Sequence, residues 1–253
     1  MAIYDFSGRT LVVTGAAGGI GRAVAERFFR SGANVFLLDL DQGVLDAFAA
    51  TLQSGIDVAH PPAIATFAAD LSDAHAAARA VDQIEQAFGG VDFLVSCAGI
   101  YLAEPLAQMM DEQWRRTLAV NLDGVFYLTR RVLPLLRDNS AIVNLSSMAA
   151  HRGAFYNAHY SASKGALLSF TRSIARELGP RTRVNAVSPG IIETPMTSAL
   201  LKTRAAESID QSIAKRLGQA QEVASAVAFL CSDDASFITA EVLHVNGGLY
   251  VSG

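Results

Sequence analysis

Thr10-Leu11-Val12-Val13-Thr14-Gly15-Ala16-Ala17-Gly18-Gly19-Ile20-Gly21 is the stretch on which the fold turns. An apolar run of strand length passes directly into a glycine cluster, and an amphipathic stretch, Gly19–Arg30, follows. A continuous apolar run, rather than an alternating one, suits a strand covered on both faces. Glycines after it let the chain turn sharply and let backbone N–H groups approach a pyrophosphate. The helix that they open adds unpaired donors and a favourable dipole. Strand, glycine turn and helix in that order give the cluster its meaning.

Outward from this unit the pattern repeats. Thr10–Thr14, 34–40, Ile64–Ala68, 92–96, 141–145, 183–187 and Val242–Val245 read as strands. Gly19–Arg30, 44–52, Ala74–Phe88, 111–136, 156–178 and Ala220–Cys231 read as helices. Strand–helix alternation throughout predicts an α/β fold: one Rossmann-type, doubly wound parallel sheet of about seven strands with helices on both faces. No break in composition divides the chain, so residues 1–253 read as a single dinucleotide-binding and catalytic domain. Two segments read as loops. Residues 54–63 hold Gly55, Pro61 and Pro62 and form a surface excursion. Residues 191–217, after Pro189-Gly190, are long enough to form a lid over the carboxyl ends of the strands.

The 253 residues are 51% hydrophobic and carry a net charge of −4, so no basic excess recruits nucleic acid or an anionic membrane. No apolar run reaches the ~18 residues of a spanning helix, and the N-terminal stretch lacks a signal pattern. Two cysteines, Cys97 and Cys231, supply neither a disulfide framework nor metal-ligand spacing. These features predict a cytoplasmic protein with no metal site.

Three further features point to chemistry. Asp39 ends the second strand about twenty residues beyond the glycines, where a carboxylate accepts hydrogen bonds from both ribose hydroxyls of an adenosine. It also repels a 2′-phosphate. Two unit charges ~4 Å apart at an effective dielectric near 20 repel by ~4 kcal/mol, less when solvated. The expectation is NAD(H) rather than NADP(H). Asp70, followed by Leu71, ends the third strand and suits an adenine amino group; capping of the next helix is the alternative. Tyr160 and Lys164, four apart on a helix, share one face. A neighbouring ammonium lowers a phenol pKa from its usual ~10, towards the range of general acid–base work.

Together, Thr14-Gly15-x-x-x-Gly19-x-Gly21, Asp70, Ser96-Cys97-Ala98-Gly99, Asn121, Ser147, Tyr160-x-x-x-Lys164 and Pro189-Gly190 resemble the short-chain dehydrogenase/reductase superfamily along essentially the whole chain. Within it, Gly218-Gln219-Ala220-Gln221-Glu222-Val223 and Asn246-Gly247-Gly248-Leu249-Tyr250 look most like the bacterial 3-oxoacyl-acyl-carrier-protein reductases. The resemblance implies hydride transfer between a nicotinamide and a carbonyl or secondary alcohol. Tyr160 is then the acid or base, Lys164 lowers its pKa and holds the nicotinamide ribose, and Ser147 orients the carbonyl. Asn121 is implied to bind a water linking Lys164 to solvent. Gly15, Gly19, Ile20 and Gly21 are implied to cradle the pyrophosphate. Ala98 and Gly99 are implied to let the cofactor approach the fourth strand. Pro189, Gly190 and Ile192 flank the nicotinamide, with Thr194 at its carboxamide or the phosphates. Substrate contacts are expected from Ser147, Met148, His151, Asn157, Tyr160 and Met196, alongside Phe155 and Ile191.

Two departures stand out. Ser96-Cys97 replaces the commoner Asn-Asn before Ala98-Gly99, which puts the polar anchoring of that turn in question. Asp39 favours NAD where many acyl-carrier-protein reductases prefer NADP. The expected substrate is an acyl thioester, with an acyl-carrier protein as partner. The alternative is a sugar, polyol or small secondary alcohol. A nucleotide-binding regulator without catalysis is a third reading, opposed by the intact Asn121, Ser147, Tyr160 and Lys164 set. An acidic carrier protein needs a basic docking patch, for which Arg130, Arg131, Arg137, Arg172 and Arg181 are candidates. The resemblance also implies a homotetramer built on the long helices.

Overall fold

The structure is a computed structural model that describes residues 4–55 and 61–251. Part of the expected 54–63 excursion lies outside the described residues. Seven strands, β1 (Thr10–Thr14), β2 (Asn34–Asp39), β3 (Ile64–Ala68), β4 (Val91–Ser96), β5 (Leu136–Leu145), β6 (Thr182–Pro189) and β7 (Val242–Val245), form one sheet. Its order is β3-β2-β1-β4-β5-β6-β7, and every neighbouring pair is parallel. The chain starts in the middle of the sheet, builds outward through β2 and β3, then crosses back to β4. That reversal opens a crevice at the carboxyl ends of β1 and β4, the place where such sheets bind ligands.

The helices are α1 (Gly19–Arg30), α2 (Gln42–Ser54), α3 (Ala74–Phe88), α4 (Asp111–Leu118), α5 (Gly124–Val132), α6 (Ala149–Arg152), α7 (Ala158–Leu178), α8 (Ser198–Gln211) and α9 (Ala220–Cys231). Alternate strand residues feed two cores. Leu11, Val13, Val35, Leu37, Phe93, Val95 and Val143 pack with α1, α2 and α9. Val12, Phe36, Leu38, Leu94 and Ile142 pack with α3, α5 and α7. Both faces of the sheet are therefore apolar, which explains the continuous rather than alternating runs.

Two expected helices differ most, and β5 begins at Leu136 rather than 141. The helix expected over 111–136 is interrupted by a π-turn at Ala119–Asp123 and a 3₁₀ turn at Leu133–Leu135, and Leu136 already belongs to β5. Pro134 has no N–H to continue an α-helix. At Gly124 a Cβ would stand 3.1 Å from the Leu71 carbonyl oxygen, so glycine lets the helix press against the β3–α3 connection. The last long helix begins at Ala158 rather than 156, because Tyr156 has φ +59°.

The 191–217 segment contains a 3₁₀ turn at Pro195–Thr197 and α8. It leaves and returns at one place. Ile192 and Gly218 form an isolated parallel bridge, with Glu193 N–H donating to Gly218 O at 2.8 Å and Gly218 N–H to Ile191 O at 3.1 Å. No helix among the described residues is long and apolar enough to cross a membrane.

Candidate active site

The floor of the crevice is built from close backbone contacts. Gly15 has φ +65°, and a Cβ there would stand 2.8 Å from Ala98 N. The Ala98 N–H donates to Thr14 Oγ1 at 3.0 Å. The ends of β1 and β4 are thus pinned together through a glycine and a threonine hydroxyl. Side chains at 96 and 97 are not needed for this anchor, which answers the question raised by Ser96-Cys97. A Cβ on Gly21 would fall 2.1 Å from Gly15 O, so only glycine permits α1 to start so close to the turn. Gly18 caps α1 without a side-chain bond, leaving first-turn N–H groups for a ligand.

Asp39 stands beside this turn. Its Oδ2 accepts from Ala17 N–H at 2.9 Å and its Oδ1 from Leu40 N–H at 2.8 Å. The carboxylate is partly exposed. Ala69 N–H donates to Asp39 O at 2.8 Å, which brings Asp70 to the same edge of the sheet. Asp70 Oδ1 accepts from both Ser72 N–H (3.0 Å) and Ser72 Oγ (2.7 Å). It does not cap α3; Asp73 does, accepting from His75 N–H at 2.9 Å.

Across the crevice lie the end of β5 and the first turns of α7. One cavity is lined by the glycine turn, by Cys97, Gly99, Leu145, Ser146, Ser147, Tyr160 and Lys164, and by Pro189, Gly190, Ile192, Thr194 and Met196. Lys164 is 4% exposed, and its Nζ donates to Leu145 O at 2.7 Å. Ser146 Oγ donates to Lys164 O at 3.0 Å, tying the β5 end to α7. Ser147 stands near enough to the Tyr160 hydroxyl to favour its ionised form. Ser146 is therefore structural, and Ser147 is the hydroxyl that faces the phenol.

The electrostatics correct one expectation. Lys164 does not bring the Tyr160 phenol below its ordinary value: burial pushes the phenol up to about 12 against the help of Ser147, and burial pushes Lys164 down to about 8. The ammonium is 6.0 Å from the centre of the Tyr160 ring and bonds a carbonyl instead. Desolvation, which favours the neutral form of each group, outweighs their mutual attraction at that separation. Cys97 is likewise pushed up to about 12 by burial, so its thiol is no nucleophile near neutral pH.

A family model described as Enoyl-(Acyl carrier protein) reductase matches residues 15–250. The chain belongs to the short-chain dehydrogenase/reductase family. The 3-oxoacyl-[acyl-carrier-protein] reductase FabG of Escherichia coli K12 is 38% identical over 98% of this chain and 99% of its own. The FabG of Thermotoga maritima is 35% identical over 96% and 98%. A crystal structure described as a short-chain dehydrogenase/reductase, glucose/ribitol dehydrogenase, from Brucella melitensis is 57% identical, with a TM-score of 0.94 over 99% of this chain and 100% of that one. A short-chain dehydrogenase from Burkholderia cenocepacia in complex with NADP is 31% identical, with a TM-score of 0.89 over 96% and 98%.

As a short-chain dehydrogenase/reductase the chain is an oxidoreductase that uses a nicotinamide cofactor. The residues present suit one: bare glycines, an uncapped helix start and a buried lysine meet in one open crevice. Gly15, Gly19, Ile20, Gly21, Gly99, Pro189, Gly190, Ile192 and Thr194 line the cavity. Asp39, Asp70, Leu71 and Ala98 stand around it without lining it.

Other expected positions are more distant. Asn121, in the π-turn, makes no direct hydrogen bond to Lys164, with which a bridging water was expected to link it. Its Oδ1 accepts from Ile100 N–H at 2.8 Å, and its Nδ2 donates to Ile100 O and Ser163 Oγ, both at 3.1 Å. Gly99 sits between the two, since a Cβ there would be 3.2 Å from Asn121 Oδ1 and 3.5 Å from Lys164 Nζ. Met196 lines the cavity, but Met148 is buried, donating its N–H to Pro189 O at 2.9 Å. His151 packs on His244 (4.7 Å) and Tyr250 (5.0 Å) instead of lining the cavity. Asn157 is buried behind Tyr101, a residue that sequence reasoning missed. Arg137 bonds Asp92 near the start of β4 at 2.7 Å, and Arg181 bonds Asp138 at 3.0 Å. Both sit at the amino ends of the strands, opposite the crevice, and drop out of any docking patch at its mouth.

Proposed function

We propose that this chain is an NAD(H)-dependent reductase of 3-oxoacyl thioesters, or of carbonyl compounds like them. The observation that carries the reading is the meeting of Ser147, Tyr160 and Lys164 with the glycine turn in one cavity. The bound nicotinamide supplies hydride in reduction and takes it up in oxidation. The chain's own groups handle the oxygen and the proton. Ser147 and Tyr160 offer two hydroxyls to a carbonyl oxygen, an arrangement that stabilises charge developing there. With its pKa near 12, Tyr160 is in the donor form at neutral pH and gives its Oη proton to that oxygen. Lys164, near 8, is mostly cationic at pH 7 and stabilises the phenolate left behind. Asn121 holds Ile100, and with it the wall of the cavity. Residues 191–217 act as the lid, with Thr194 and Met196 on its inner side.

The NAD preference rests on Asp39. Its carboxylate is fixed by Ala17 N–H beside the glycine turn, where a 2′-phosphate would meet like charge. Partial exposure weakens the repulsion. NADH should therefore bind about 10- to 100-fold more tightly than NADPH, and Asp39→Ser should close most of that gap. Titration of both cofactors against both proteins checks this, and equal affinities in the parent chain would refute the Asp39 argument.

The 57% identity to a protein described as a glucose/ribitol dehydrogenase favours a second reading, oxidation of a sugar or polyol. Turnover of acetoacetyl thioesters against a polyol panel, each with both cofactors, separates the two. We expect thioester reduction to exceed any polyol oxidation at least 10-fold in kcat/KM; the reverse order selects the second reading. An acyl-carrier protein as partner follows from the first reading alone. A homotetramer is supported by Trp114 (38% exposed) and Phe126 (42% exposed) on α4 and α5, large apolar groups that a helix–helix contact would cover.

A further inference from the structure

Tyr101 belongs to none of the motifs that define the site, yet four separate ties hold its loop. Ala98 N–H is bonded to Thr14 Oγ1 at 3.0 Å. Ile100 is gripped through both its N–H and its carbonyl by Asn121. Glu104 N–H donates to Tyr156 O at 2.7 Å. Tyr101 Oη itself accepts from Asn157 Nδ2 at 3.2 Å. The other end of this arrangement is equally constrained. Asn157 is 2% exposed, and its Nδ2 also donates to Phe155 O at 2.9 Å, while its Oδ1 has no partner. Tyr156 sits at φ +59°, a conformation that a bulky residue rarely adopts.

A strained tyrosine, a buried asparagine with an unpaired oxygen and a loop tied at almost every second residue are together unfavourable for stability. Such local violations concentrate where function requires them. What they hold in place is a ring contact. The Tyr101 ring meets the Tyr160 ring edge-on, with centroids 4.9 Å apart and planes at 86°.

We infer that Tyr101, locked by Asn157, is a positioning residue for Tyr160. Its ring fixes the rotation of the Tyr160 phenol, so that the Oη stays at Ser147 and over the cavity. The inference rests on the reading of Tyr160 as the proton-transfer group. Proton transfer is sensitive to placement, and a misplacement of about 1 Å is worth about 100-fold in rate. Ring contact therefore governs kcat and leaves the cofactor cradle, on the other side of the crevice, untouched.

The test compares Tyr101→Leu, Tyr101→Phe and Tyr160→Phe in one assay of carbonyl reduction and the reverse oxidation. Tyr101→Leu should lower kcat about 30-fold, with cofactor affinity within about 3-fold of the parent. Tyr101→Phe keeps the ring and should retain kcat within about 5-fold. Cofactor binding and an unchanged thermal midpoint show that each variant is folded. A parent-like kcat in Tyr101→Leu, beside an inactive Tyr160→Phe, would overturn the inference and leave the mechanism standing. So would an equal loss in Tyr101→Phe and Tyr101→Leu, which would make the hydroxyl rather than the ring responsible. Full activity of Tyr160→Phe would overturn the underlying reading instead.

Discussion

Tyr160→Phe should lower kcat by at least about 1,000-fold while the nicotinamide cofactor binds within about 3-fold of the parent. The substitution removes one oxygen and leaves the ring, so the edge-on contact with Tyr101 survives. What is lost is the proton donor and one of two hydrogen bonds to the substrate oxygen. General acid–base catalysis contributes typically 100- to 10,000-fold, and an oxygen-site donor contributes further. Ser147 alone replaces neither. The pH dependence follows from the same group. Reduction needs the protonated phenol, which a pKa near 12 preserves through neutral pH and well above it. Oxidation needs the phenolate, so its rate should climb with pH by up to about tenfold per unit, until another step limits it. Stopped-flow reduction and steady-state oxidation between pH 6 and 10 would show both limbs, taking these as about the span over which the fold holds. A flat oxidation profile, or a Phe variant within tenfold of the parent, would remove Tyr160 from the mechanism.

Lys164→Met should abolish most turnover, at least about 100-fold, and yet make the protein more stable at pH 7. Lys164 is 4% exposed, and burial depresses its pKa from 10.5 to about 8. For a depressed group, the stabilising contribution is present above the unfolded value and is lost as pH falls through the folded one. From about pH 10.5 down to about 8 the unfolded chain takes up a proton that the folded chain resists. By pH 7 the difference amounts to about 3 kcal/mol against the folded state. Losing the bond to Leu145 O returns about 1 kcal/mol of that. Methionine is close in volume and adapts to irregular space, so a net gain of about 2 kcal/mol remains. That corresponds to roughly 5 °C in Tm for a chain of this size. The gain should shrink towards pH 10. Thermal unfolding of both proteins at pH 7 and pH 10 is the check. A destabilised variant, or a gain equal at both pH values, would contradict the assignment of burial as the dominant influence on Lys164.

The strands and the glycine turn were legible because their causes are local. A strand buried on both faces must be continuously apolar, and Thr10–Thr14 is buried along its whole length. Glycines 15 and 21 are required by contacts less than 3 Å from where a Cβ would stand, and no other residue type could be read there. The placement of Asp39 was legible for the same reason, since it ends β2 beside the glycine turn; Asp70 lies two residues beyond the end of β3, at the same edge of the sheet.

The break in the helix expected over 111–136 was not legible. The apolar period runs through Ala119–Asp123 without interruption, and only the register of Asn121 against Ile100 reveals the π-turn. The pKa balance between Tyr160 and Lys164 was also misread. Spacing of four on a helix guarantees a shared face, but says nothing of how deeply the pair is buried or what else the ammonium can bond. Tyr101 carried no signal in the chain. It is a single aromatic residue in a loop, and its meaning depends on Asn157, which lies 56 positions away.

The bridge between Ile192 and Gly218 makes the intervening residues a cassette. Both ends of the segment meet at one point beyond the end of β6, so its length and composition can change without altering the distance that any strand must span. Exchange between relatives at 192 and 218 would transplant this wall of the cavity, Thr194 included, and leave the glycine turn itself and the Tyr160–Lys164 helix as they are. On such a scaffold the choice of substrate is free to diverge faster than the chemistry performed on it.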